Sequence, residues 1–191
     1  MARAISIRAA RGFTLIELII GMTVMGILAL VGTSLITDTV KTTRIVNSAS
    51  TSADQTRYAI ERITRELREV KYTIGTGYVI AGPIGLAKTT VTFTRIINGA
   101  NVVVTIARVG SVAPYTVTLG YSSPAVISTL ASNVASFNLD FLKLDNTAAS
   151  SDVSNTGSAD LHLVAVTLGI ADATSGQTIS QQTRVAPRNT Q

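Results

Sequence analysis

Between Leu18 and Thr37 the chain runs for twenty residues without a charged side chain. At about 1.5 Å per residue, a helix of that length covers roughly the 30 Å of a bilayer's hydrocarbon core. No other stretch of the 191 residues limits the fold as strongly, and it predicts one membrane helix. A single carboxylate, Glu17, stands immediately before it, within "RGFTLIEL". An acid at the centre of a membrane helix costs on the order of 2.5–3.5 kcal/mol, so it persists only where something compensates it.

The residues before the apolar run are basic. Arg3, Arg8 and Arg11 take three of the sixteen basic residues and none of the eleven acids, so beyond residue 12 the formal excess falls from +5 to +2. That excess is too small to imply a phosphate-binding surface, and nucleic acid is not an expected partner. A secretory signal has a shorter apolar region followed by a small-residue cleavage site, and neither is present here. By the positive-inside rule the arginine-rich end stays cytoplasmic and everything after Thr37 crosses the membrane.

These residues carry a resemblance. Arg11-Gly12-Phe13-Thr14-Leu15-Ile16-Glu17-Leu18 behind a short basic leader resembles the class III signal of type IV pilins and of the pseudopilins of type II secretion. The resemblance implies that a membrane prepilin peptidase cuts between Gly12 and Phe13 and methylates the new amino terminus of Phe13. It also implies assembly through Phe13 and Glu17. In a filament, the amine of one subunit lies beside the Glu17 carboxylate of a neighbour. Opposite charges about 4 Å apart are worth roughly 4 kcal/mol at an effective dielectric near 20, before desolvation is subtracted. The expected partners are the peptidase, major and minor pilins or pseudopilins, an inner-membrane assembly platform and, before assembly, membrane lipid.

No proline occurs between Phe13 and Lys71, which permits one continuous helix of roughly 90 Å. Gly21, Gly26, Ala29, Gly32 and Ser34 let helices approach closely in lipid. Many major pilins have a proline in this part, so its absence places the chain nearer the accessory subunits. "ERITRELREVK" resembles the corresponding helix of minor pilins and J-type minor pseudopilins, and "VASFNLDFLKLD" and "TRVAPRN" point the same way more loosely. Val46, Ala49, Ala53, Thr56, Ile60, Ile63, Leu67 and Val70 recur at spacings of three and four, one apolar seam that needs a cover. Opposite it, Arg57–Glu61, Glu61–Arg65, Arg62–Glu66 and Arg65–Glu69 stand at i,i+4 and predict a solvated face.

After Tyr72 the texture turns to Thr, Val, Ile and Gly, which favour strands. "TTVTFTRIINGANVVVTIARV" predicts a hairpin about Asn98-Gly99. Further strands are expected in "PYTVTLGY", "SFNLDFLKLD", "ADLHLVAVTLGIAD" and "QTISQQTRVAP", with a short turn or helix over Leu130 to Ala135. The expected fold class is α+β: a long amino-terminal helix packed on an antiparallel sheet. The expected division is a leader over 1–12, a transmembrane and assembly helix over 13–37, its amphipathic continuation over 38–72 and a β-rich domain over 73–191.

The sequence offers little catalytic chemistry. With no cysteine there is no disulfide, thiolate nucleophile or cysteine-ligated zinc. His162, the only histidine, has leucines on both sides and predicts a solvent-facing strand residue rather than a ligand or base. Asp145 to Ala159 predicts a mobile loop. Asp145, Asn146, Asp152, Asn155 and Asp160 offer oxygens of the kind calcium takes, as loops in some pseudopilins do. Their spacing fits no calcium-loop template, so neither metal nor cofactor is expected. The chain is expected to be a peptidase's substrate, not an enzyme. A structural role as minor pilin or pseudopilin leads, initiating assembly or forming the tip of a filament. A tip adhesin, a DNA- or substrate-binding subunit and an uncleaved signal-anchored envelope protein stand as alternatives.

Overall fold

The computed structural model describes residues 12–152, 154 and 156–188. The leader's residues 1–11, with Arg3, Arg8 and Arg11, lie outside the described residues, as does Asn155. Two compact units divide the chain, one through Arg44 and one from Ile45 onward. A single helix, α1 (Leu15–Arg68), contributes to both.

In the first unit α1 is long and apolar enough to cross a membrane, and no residue of its most apolar stretch is buried. Positions that would each contribute about 1.5–3 kcal/mol if removed from water, such as Leu30 at 75% exposure, are left uncovered by the described residues. A cover must come from lipid or from other helices. Thr23, Thr33, Ser34 and Thr37 turn their hydroxyls back onto carbonyls three or four residues earlier, which removes free polar groups from the apolar surface.

In the second unit the helix meets the sheet. Strands β1 (Tyr72–Thr73) and β2 (Gly77–Tyr78) pair by themselves. The main sheet contains β3 (Ile80–Ala81), β4 (Thr90–Ile97), β5 (Ala100–Val109), β6 (Tyr115–Ser122), β7 (Ala125–Leu142), β8 (Leu163–Ala171) and β9 (Thr178–Val185). These seven strands lie side by side in chain order, each antiparallel to the next. The α+β architecture, a long helix packed on an antiparallel sheet, is the expected one. The Asn98-Gly99 hairpin is also present: Ile97 pairs with Ala100, and φ is 51° at Asn98 and 79° at Gly99, the left-handed pair that a two-residue reversed turn requires.

Two expectations need correction. Leu130 to Ala135 is neither turn nor helix but the middle of the 18-residue β7. Residues 125–134 of β7 pair with β6 and residues 134–142 pair with β8, and the register shifts between Val134 and Ser136. Asn133 takes a φ of 54° there, a bulge that breaks the inside–outside alternation and so imitates a turn in the sequence. The apolar seam is also displaced. Thr56, Ile60, Ile63, Leu67 and Val70 are buried as expected, joined by Ser52 and Ala59, but Val46 and Ala53 are exposed. Full burial begins at Ser52; above it Ser48 and Ala49 are half-buried and Val46 lies outside the cover.

Ile63, Leu67, Phe93, Phe137, Phe141 and Leu168 are fully buried members of one core cluster drawn from helix and sheet. The end of the helix is tied in by residues that follow β9. The Arg188 N–H donates to the Arg68 carbonyl at 2.8 Å, satisfying one of the orphan acceptors of a helix carboxy terminus. The Tyr78 hydroxyl donates to the Pro187 carbonyl at 3.1 Å.

Candidate functional site

Gly12 and Phe13 precede the helix without regular structure, and the Phe13 ring is 86% exposed. Thr14 then starts the helix. Its N–H and hydroxyl both donate to Glu17 Oε2, at 3.1 and 3.0 Å, while the Glu17 N–H donates to Thr14 Oγ1 at 3.3 Å. This reciprocal pairing is a capping box: it satisfies donors that the first turn would otherwise leave unpaired. Glu17 therefore sits in the first turn of α1, where the helix dipole favours a negative charge, rather than at a helix centre. The expectation based on burial cost did not include this local role, although Thr-x-x-Glu ahead of an apolar run signals it.

Beside Glu17 lies a concavity of about 400 Å³ lined by Phe13, Glu17, Leu18, Gly21, Met22 and Met25. A side chain added at Gly21, Gly26 or Gly32 would meet nothing within 4 Å, so these positions are notches on an uncovered surface. The chain thus places together an exposed aromatic at the expected cut, a carboxylate one turn later and a notched apolar helix.

The charged face of the second unit departs from expectation. Of the four i,i+4 pairs, Arg62–Glu66 alone closes to an ion pair among the described residues, at 3.1 Å. Glu66 is not solvated. It is completely buried and holds Arg95 Nη1 of β4 at 2.5 Å, while the Tyr121 hydroxyl of β6 donates to it at 2.8 Å. The second arm of Arg95 reaches Glu69 at 2.6 Å. Burial, and then the hydrogen bond to the Glu66 carboxylate, push the Tyr121 phenol up, so it stays a donor through ordinary pH. The reading of a solvated face fails here because the partner, Arg95, comes from a distant strand.

The loop acids are engaged within the chain. Asp145 Oδ1 accepts from the Thr147 N–H and hydroxyl, and Asp152 accepts the same pair of bonds from Thr156. Partial burial pushes the Asp160 carboxyl up, but Lys143 at 2.9 Å, Ser158 and Ser150 outweigh it and bring it to about 2. The loop's ends are pinned: Tyr78 and Ser158 exchange backbone bonds at 2.9 and 3.0 Å, and Ala149 and Ser158 are buried. At Gly77 (φ 82°) a side chain would run into the Ser158 backbone, so this approach depends on glycine. His162 is exposed one residue before β8, and its N–H donates to the Leu142 carbonyl at 2.9 Å.

Asp172, buried at the start of the β8–β9 turn, yields a pH prediction. Hydrogen bonding from Ser48, then from the Ser175 N–H and hydroxyl, holds its carboxyl down to about 2 from an ordinary 3.8. A carboxyl depressed in the folded state stabilises above its unfolded value, and that contribution is lost as pH falls through the folded value. Thermal unfolding should therefore drop steeply between about pH 4 and 2. Asp172→Asn should be less stable at pH 7 and show a shallower acid slope. Parallel slopes would show that Asp172 does not contribute in this window.

Residues 7–33 match the family described as the prokaryotic N-terminal methylation motif. A comparison with curated proteins returned no match. The match spans the Gly12–Phe13 junction, Glu17 and the apolar half of the helix, and it carries with it processing by prepilin peptidase, inner-membrane anchoring and assembly in a filament. A motif of this type implies a structural subunit rather than an enzyme. With the long helix on an antiparallel sheet behind it, the chain joins this motif to an α+β architecture of the type IV pilin-like kind.

Proposed function

We propose that the chain is a minor pilin or pseudopilin, cut between Gly12 and Phe13, methylated at Phe13 and built through α1 into a type IV pilus or a type II secretion-type filament. Its role is to initiate assembly or to form the tip. The observation that supports this most is the acid in the first helical turn, five residues past the expected cut and at the head of an apolar helix that the described residues leave uncovered. Cleavage creates an amine one residue before the capping threonine. Assembly then offers Glu17 a cation from a neighbouring helix in exchange for part of its cap. The arginine-rich end remains cytoplasmic and the β-rich domain lies outside the cytoplasm. The proline-free helix favours an accessory subunit over the bulk one.

Mass spectrometry of the envelope-extracted chain tests the cut. Cells with active prepilin peptidase should give a polypeptide beginning at Phe13 with one added methyl group. An intact leader would overturn the reading in favour of an uncleaved anchor. Two substitutions at Glu17 separate charge from cap. Glutamine can still close a capping box, whereas alanine cannot. If the charge serves assembly, Glu17→Gln and Glu17→Ala should both lose co-purification with filament subunits, by about tenfold or more given an ion pair of a few kcal/mol. Recovery with Gln would assign Glu17 to the cap alone. Deletion of the gene, followed by parallel assays of pilus assembly, secretion and DNA uptake, identifies the machine.

A further inference from the structure

Strand β9 is the edge of the main sheet: it pairs with β8 and, among the described residues, with no other strand. Every second residue of an edge strand turns its N–H and C=O outward, which is a template for another strand. The usual protections are missing over most of its eight residues. "TISQQTRV" has no proline, and its one charged side chain, Arg184, is held by Asn146 at 3.3 Å.

Between β9 and the carboxy-terminal turns of α1 runs a groove of about 420 Å³. Four arginines line it: Arg57, Arg65 and Arg68 on the helix and Arg188 after the strand. None of their guanidinium groups makes an ion pair or hydrogen bond among the described residues. Two acids share the groove, Glu61 and Glu69, and Glu69 is already held by Arg95 at 2.6 Å. The groove is therefore electropositive, with unspent donors. The Thr64 hydroxyl, buried in its wall, also has no hydrogen-bond partner among the described residues.

The geometry points to a docking site for an extended acidic segment of another protein chain, which adds as a strand to β9 and lays alternate carboxylates on the arginines. Backbone pairing supplies the affinity of such additions, and side chains on one face supply the choice of partner. Here the arginines select carboxylates, because a guanidinium binds them in a two-pronged fashion. The open edge favours a peptide over a nucleic acid, which has no backbone to complete a ladder. This inference does not depend on the cut at Gly12–Phe13, so its failure and the failure of that reading are separate results.

The full-length chain in detergent micelles can be titrated against a fluorescent peptide of alternating glutamate and valine, eight residues long to match β9. Anisotropy should show saturable binding of this peptide and none of its lysine–valine counterpart. N-methylation of alternate peptide amides should abolish binding in one frame and leave it intact in the other, because one set faces β9. Arg65→Glu with Arg68→Glu should weaken binding by about tenfold or more, and Arg57→Glu by less, while the unfolding temperature stays near wild type. Equal binding of both N-methylated frames, or of both peptide charges, would overturn strand addition. Displacement of the peptide by oligothymidylate at lower concentration than by unlabelled peptide would instead make the groove a nucleic-acid site and overturn the proposal.

Discussion

Glu66→Ala is expected to destabilise the unit that begins at Ile45 by about 3–5 kcal/mol, the range for breaking a buried ion pair from one side. The carboxylate is fully buried and collects three donors: Arg95 Nη1 at 2.5 Å, Arg62 Nη2 at 3.1 Å and the Tyr121 hydroxyl. Removing it leaves Arg95, with 17% of its side chain exposed, one carboxylate, Glu69, where it had two, and takes the acceptor from Arg62 and the Tyr121 hydroxyl. The Nε of Arg95 already lacks a hydrogen-bond partner among the described residues, so little slack remains. The cost comes from the buried donors left short of an acceptor rather than from the pair's own attraction. Replacing both partners by methionine should therefore recover most of the loss. Urea unfolding followed by far-ultraviolet circular dichroism measures both variants. A single variant within about 1 kcal/mol of wild type would contradict the buried-pair account.

Phe137→Ala should cost a similar amount, about 3–5 kcal/mol, for a different reason. Phe137 follows the β7 bulge, pairs with Leu168 across the ladder and is fully buried within the cluster that includes Ile63 and Leu67. Truncation removes the transfer energy of the ring and leaves a cavity that the strands can only partly close. Phe137→Leu, which keeps much of the volume, should cost less than about 1.5 kcal/mol. Ile127, in the first half of the same strand, is 79% exposed, and Ile127→Ala should fall within about 0.5 kcal/mol of wild type. A comparable loss at both positions would mean that β7 is not organised as described.

What the sequence disclosed depended on how local the physics was. Asn98-Gly99 fixes its own turn, and the "GFTLIEL" signal is contiguous, so both were legible without knowledge of the fold. The Thr14–Glu17 cap is equally local, but the membrane cost of an acid masks it in the sequence. Leu130 to Ala135 does not read as strand because a bulge at Asn133 erases the two-residue period that marks one. Glu66 could not be told from its neighbours: four similar i,i+4 pairs surround it, and its burial is decided by Arg95 on a strand 29 residues away. The groove beside β9 was not legible either, since it brings together residues 57–69 and 181–188.

Strands β3 to β9 stand in the sheet in the order in which they occur along the chain. A polypeptide delivered through a channel from its amino end, as a membrane helix followed by this unit would be, thus presents each new strand to a neighbour already delivered. No strand must wait for a later one, and the growing sheet has one advancing margin. The bond from Arg188 to Arg68 ties the segment after the last strand back to the helix that precedes the first, so the margin that advances last lies beside the element that came first.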